Sequence, residues 1–118
     1  MNRGEVWTLA GGPDYAGKPR PVVIVQNDIF RETESVTICL LTSVTSYAPF
    51  FRVQIEPSEG NGLQFPSRLM TDKIATVPKT KLGRKIGNLS FSDIQKMNES
   101  MVLFMGLADT NNDTMSGA

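Results

Sequence analysis

The segment Lys18-Pro19-Arg20-Pro21-Val22-Val23-Ile24-Val25-Gln26 restricts what this chain can fold into more than any other. Pro19 and Pro21 each fix their own φ and push the preceding residue towards extended geometry, so Arg20 enters a strand on a stiff mount. Val22 to Val25 show no apolar–polar alternation, which requires both faces of that strand to be covered. A sheet must bend around it, or a helix must lie over it. The 118 residues suffice for one such core and not for two. A guanidinium held at the mouth of the strand suits a phosphate, because it stays charged and offers a planar fork of donors. The plainer alternative is a surface arginine capping a strand edge.

The rest of the chain supplies short partners for that strand. Residues 4–9 alternate and predict a first strand, and 10–18 form a turn-rich loop. Strands are predicted at 20–27, 35–42, 50–56 and 67–77, the last ended by Val77-Pro78. A helix then closes the fold. Ser90 is a good N-cap with Asp93 at N3 as in a capping box, and Leu89 can staple onto Ile94. Ile94, Met97, Met101, Phe104 and Ala108 continue a helical stripe. Residues 109–118 are small and polar and are expected to form a disordered tail, leaving 1–108 as a single domain. The expected class is mainly β with a C-terminal helix: a small, strongly bent antiparallel sheet or partial barrel.

Composition removes several chemistries. The chain has no histidine, so Ser-His-Asp, Cys-His and paired-histidine ribonuclease mechanisms are unavailable. Its one cysteine, Cys39, lies in the apolar run Ile38-Cys39-Leu40-Leu41 and reads as a buried reduced thiol, which points to a cytoplasmic setting. Zinc ligands are lacking, and the acidic residues are scattered with no DxD or ExxE cluster. An enzyme built from this chain is expected to work with Arg, Lys, Thr, Ser and Asp, without metal or cofactor. No apolar run approaches the ~20 residues that span a bilayer, and no signal-peptide pattern is present, so no membrane partner is expected. Net charge is zero, yet 68–85 carries Arg68, Lys73, Lys79, Lys81, Arg84 and Lys85 against Asp72. Such a patch can follow a nucleic-acid backbone, and an ordinary solvated face fits it as well.

Two loops border Arg20. Gly12-Pro13-Asp14-Tyr15-Ala16-Gly17-Lys18 has the spacing of a phosphate-binding G-x4-G-K loop, but Pro19 and a strand follow where a hydroxyl and a helix are required. It reads better as a loop carrying Tyr15 and Lys18 over a site beside Arg20. Thr42-Ser43 ends the third strand and Val44-Thr45-Ser46-Tyr47 follows. Alone these hydroxyls are turn formers; next to an arginine they can position a phosphate and a reacting hydroxyl. Phe50 and Phe51 read as core and dimer packing, or as a platform for a base.

Arg3-Gly4-Glu5-Val6-Trp7, then Gly17-Lys18-Pro19-Arg20-Pro21-Val22-Val23-Ile24-Val25-Gln26, then Leu40-Leu41-Thr42-Ser43, then Ile86-Gly87-Asn88-Leu89 with its helix, together resemble the MazF/PemK toxins. The resemblance runs in order up to about Ala108. It implies an SH3-like small barrel, a homodimer, metal-independent cleavage of single-stranded RNA, and a cognate antitoxin that threads across the site. By the same resemblance Arg20 matches the catalytic arginine and Thr42 the catalytic threonine. The expected RNA-binding set is Asp14, Tyr15, Lys18, Gln26, Ser43, Thr45 and Lys73. The family loop usually reads G-S-E-x-x-G-x-R-P; here Pro13-Asp14 replaces Ser-Glu, and one extra residue precedes Arg20.

A second resemblance competes. Arg68-Leu69-Met70-Thr71-Asp72-Lys73-Ile74-Ala75-Thr76-Val77-Pro78, with Asn88-Leu89-Ser90, looks like the matching part of CcdB-type gyrase poisons. Those share the fold and act through a C-terminal helix ending in Trp-Gly-Ile. Here Phe104-Met105-Gly106-Leu107 is followed by eleven further residues and no tryptophan. The Arg-Pro signature belongs to the ribonuclease branch, so a toxin ribonuclease is the favoured reading and a gyrase poison the alternative.

Overall fold

A computed structural model describes residues 1–10, 19–43 and 49–108. Asp14, Tyr15, Lys18, Thr45 and the expected tail lie outside them. The described chain runs β1 Glu5–Leu9, β2 Arg20–Ile24, β3 Ser35–Thr42, β4 Val53–Ile55, β5 Ser67–Pro78, β6 Leu82–Asn88 and α1 Phe91–Met105. The strands make one open sheet of six in the order β4-β5-β3-β2-β1-β6, and every pairing is antiparallel.

Five of these strands stand where the sequence predicts them, and β2 and β4 are shorter than expected. β2 stops at Ile24 because Asn27 accepts the Ile29 N–H at 3.0 Å and caps a short 3-10 turn over Asp28–Phe30. β4 is shortened by a turn in which the Arg52 N–H donates to the Pro49 carbonyl at 3.0 Å. The sixth strand, β6, is not anticipated. Its sequence Leu-Gly-Arg-Lys-Ile-Gly-Asn has weak strand propensity, and tertiary contacts make it a strand. The buried Glu5 carboxylate accepts from Trp7 Nε1 at 2.8 Å and from Lys85 Nζ at 3.4 Å, tying β1 to β6.

The core lies on both faces of the sheet, as the apolar run requires. Val23 and Val25 point with Val6, Cys39, Leu41, Ile55 and Leu69 towards Met97 of α1. Val22 and Ile24 point the other way, onto Val36 and Ile38, where Trp7, Leu9 and Leu82 cover them. Alternation along β2 thus sends successive side chains into two separate clusters.

Helix α1 begins as expected. The Ser90 hydroxyl accepts the Asp93 N–H at 3.1 Å, and Leu89 and Ile94 join one cluster. It ends at Gly106, whose φ of 68° provides a left-handed cap. Ile94, Met97 and Met101 pack on the sheet, while Phe104 is half-exposed with its ring centroid 5.2 Å from that of Phe51. Phe50 is 89% exposed, outside the core of the single chain, where dimer packing or base stacking is the expectation that applies to it.

One irregularity shapes the sheet. Cys39 pairs with Ile74 and the next residue, Leu40, pairs with Met70, so Thr71, Asp72 and Lys73 bulge out of β5. The bulge is pinned on two sides. Thr71 bonds the Ser100 hydroxyl at 2.7 Å, and Arg52 donates to both Asp72 oxygens at 2.9 and 2.7 Å. These Arg52 hydrogen bonds hold the Asp72 carboxyl below the usual carboxylate range. Cys39 is buried with its thiol donating to the Met70 carbonyl at 3.1 Å, and burial above all pushes its pKa up to about 12. It is a packing residue and not a nucleophile.

Candidate active site

The site begins with a missing hydrogen bond. β2 pairs with β3 at Val22–Leu40, Val23–Cys39 and Ile24–Ile38, and the Val25 N–H donates to Thr37 at 3.1 Å. Backbone donors alternate sides along a strand. The donor two residues before Val23 and four before Val25 would therefore face Leu41, and that residue is Pro21, which has none. Beyond Val22 the strands part. Arg20 and Pro21 stay with β1, opposite Leu9 and Thr8, whereas Leu41 and Thr42 stay with β5, opposite Leu69 and Arg68. A fork opens, with Arg20 on one prong and Thr42 on the other.

A cavity of about 710 Å³ occupies the fork. Arg20, Thr42 and Ser43 line it, joined by Arg84 from β6, by Gln64 and Phe65 from the chain leading into β5, and by Ser67 at its start. Thr8, Leu41, Leu63 and Ile86 form its apolar and hydroxyl floor. The described lining contains two guanidiniums and no carboxylate, so its local charge is positive although the whole chain is neutral. Positive charge inside a partly enclosed wall is focused and attracts anions. Among the described residues no group of three or more Cys, Asp or Glu side chains is placed to hold a metal ion.

The wall opposite the fork is a rigid turn built around buried Asn61. Its side chain accepts the Ser58 N–H at 3.0 Å and the Leu63 N–H at 2.9 Å, and donates to the Glu56 carbonyl at 2.8 Å. Gly62 follows with φ of +71°, and a Cβ there would lie 2.1 Å from the Ile86 carbonyl oxygen. Gly62→Ala therefore forces both a disfavoured backbone conformation and a clash with β6. We expect a loss of about 3 kcal/mol or more, read as a fall in Tm of more than about 10 °C. Gly106→Ala is the control: φ is similar at +68°, but no atom lies within 4 Å of the added Cβ. Only the conformational cost of about 1–2 kcal/mol applies there.

Arg20, Thr42 and Ser43 are thus brought together. Gln26 is not. It stands beyond the far end of β2, donating to the Phe30 carbonyl at 3.1 Å and accepting the Thr37 N–H at 2.9 Å, a structural brace. Lys73 is exposed in the β5 bulge, outside the cavity. Arg84, Gln64, Phe65 and Ser67 are cavity residues that pattern reading does not single out. Arg84 lies in the basic run noted above, but only the pairing of β6 with β1, with the Arg84 N–H on Thr8 Oγ1 at 3.0 Å, turns it towards the fork.

Comparison with known proteins gives the chain a family. The family described as "PemK-like, MazF-like toxin of type II toxin-antitoxin system" matches residues 2–105. The chain belongs to the PemK/MazF toxin family. Among its PemK/MazF relatives is a probable endoribonuclease MazF of Mycolicibacterium smegmatis, 41% identical over 92% of this chain and 99% of that protein. Endoribonuclease MazF9 of Mycobacterium tuberculosis is 27% identical over 91% of this chain and 98% of its own. A mycobacterial endoribonuclease solved in complex with its cognate antitoxin superposes with a TM-score of 0.76 and 26% identity, covering 92% of this chain and 98% of that one. The gyrase-poison alternative is not favoured, because the PemK/MazF match includes the stretch from Arg68 to Ser90 on which it rested. No helix among the described residues is long and apolar enough to cross a membrane.

Proposed function

We propose that this PemK/MazF toxin is a metal-independent endoribonuclease that cuts single-stranded RNA at a short sequence. The observation that carries this reading is the pairing of Arg20 and Thr42 across a cavity whose described wall holds a second arginine and no acid. The naming of its relatives as endoribonucleases supports it. With no histidine in the chain, the chemistry is one in which the substrate supplies its own nucleophile.

The ribose 2′-oxygen attacks the adjacent phosphorus in line as its proton passes to solvent water, and the bond from phosphorus to the 5′-oxygen breaks as that oxygen takes a proton from solvent water. Arg20 stabilises the charge that builds on the non-bridging oxygens and keeps a donor near the leaving oxygen. Thr42 donates to a non-bridging oxygen and fixes the phosphate. The products are a 2′,3′-cyclic phosphate and a 5′-hydroxyl. Unstacked bases bind along the rim, where Phe65 is 63% exposed and offers a ring to stack on. Asp14, Tyr15, Lys18 and Thr45 belong to segments that flank Arg20 and Thr42 in sequence, and we assign them to RNA contact on that ground.

Two protein partners complete the reading, a second copy of the chain and a cognate antitoxin. Leu103, Phe104, Met105 and Leu107 at the end of α1, with Phe50 beside it, are exposed and support protein partners. The buried free thiol of Cys39 suits a reducing cytoplasm.

The test is incubation of the purified full chain with end-labelled single-stranded RNA in EDTA. Cuts at one short sequence, leaving 5′-hydroxyl ends, are expected. No cleavage of any RNA, or cleavage only after a divalent metal is added, would contradict the proposal.

A further inference from the structure

Arg68 stands directly beside the candidate catalytic threonine and has an unanswered buried donor. It is the cross-strand partner of Thr42 on β5, with Gln54 of β4 on its other side. Residues paired in this way project from the same face with Cβ atoms about 5 Å apart. The Arg68 Nε is buried and makes no hydrogen bond. A buried guanidinium N–H without an acceptor is costly, and such groups ordinarily have a partner. No acid satisfies it: the Asp72 carboxylate is taken by Arg52, and the Glu56 carboxylate accepts from Gln54. An acceptor from outside can meet this guanidinium only when the half-buried side chain turns outward, at a place next to Thr42.

We propose that Arg68 is a second RNA-phosphate ligand, gripping the backbone one step from the phosphate held by Arg20 and Thr42. This rests on the ribonuclease reading above. Arg20, Thr42 and Arg68 occupy three successive strands, β2, β3 and β5, across the sheet. An extended RNA strand crossing the fork perpendicular to these strands meets Arg20, then Thr42, then Arg68. A planar fork is matched to a phosphate by two parallel hydrogen bonds, and turning outward to bind one releases the Nε from unpaired burial. Arg68 is thus a substrate-binding residue that fixes where the backbone lies, and the bond-breaking step does not pass through it.

The experiment uses the full chain and an RNA oligonucleotide carrying the mapped cut site with a 2′-deoxy residue at the cut. Arg68→Gln is expected to weaken binding about 10–100-fold. It should also make the slope of log K against log salt shallower by about 0.7, the value of one single-strand phosphate contact. On cleavable RNA, KM should rise with kcat changed less than about threefold. A single methylphosphonate, moved along the oligonucleotide, should reveal one position that weakens binding to the unmutated protein and not to Arg68→Gln. Unchanged affinity and unchanged salt slope in Arg68→Gln, with the unmutated protein cutting RNA normally, overturn this proposal alone. Failure of the unmutated protein to bind or cut RNA overturns it together with the ribonuclease reading. If Arg68→Gln does not fold, Arg68→Lys keeps the charge and loses the fork: weaker binding at an unaltered salt slope is expected, and unaltered binding contradicts the proposal.

Discussion

Arg20→Ala is expected to lower RNA cleavage by about 10²–10³-fold or to below detection, the usual cost of removing one preorganised donor from a developing oxyanion. The loss should fall on kcat more than on KM, because the charge that Arg20 meets grows in the transition state. The fold should survive. Arg20 is the first residue of β2, and its backbone pairing with Leu9 does not depend on the side chain. Pro19 and Pro21, which stiffen the strand entry, remain. Arg20→Lys is expected to restore only part of the rate, since an ammonium keeps the charge but not the planar fork. Single-turnover cleavage with thermal unfolding on the same samples checks this. An Arg20→Ala protein that cuts at the normal rate would remove this residue from the chemistry.

Thr42 is a weaker test than Arg20. Its hydroxyl is one neutral donor, and Ser43 lines the same cavity and can partly replace it. The difference between the two residues follows from charge as well as position.

How far the sequence carries can be judged residue by residue. The unbroken Val22–Val25 run foretells a strand covered on both faces because burial is a local pattern, and Val22 to Ile24 are indeed 0% exposed. The start of α1 is legible for the same reason, since Ser90, Asp93, Leu89 and Ile94 act within one turn of each other. β6 is not legible, because what holds it is met only in the fold: Glu5 and Thr8, some eighty residues earlier, bond the Lys85 side chain and the Arg84 N–H. The split of β2 from β3 is implicit in Pro21, but it can be inferred only once the register says which way the missing N–H would point. Gln26 shows the converse. A polar residue at the end of an apolar strand reads as available for a ligand, and here both ends of its amide are committed to the backbone. Arg84 and Arg68 sit in one basic run, yet the fold sends one to the cavity and the other to the side of Thr42. Charge along a sequence does not disclose which face it will occupy.

The central claim is that the RNA cuts itself, with Arg20 and Thr42 holding one phosphate while the neighbouring 2′-hydroxyl attacks it. Replacing that single hydroxyl by hydrogen removes the nucleophile and leaves the phosphate, the bases and the protein unchanged. The most direct measurement is therefore the cleavage rate of two oligonucleotides that differ only by a 2′-deoxy residue on the 5′ side of the mapped cut. The all-ribose strand should be cut to a 2′,3′-cyclic phosphate and a 5′-hydroxyl, and the substituted strand should bind with similar affinity and stay intact. Cutting of the substituted strand at that same bond would contradict the account.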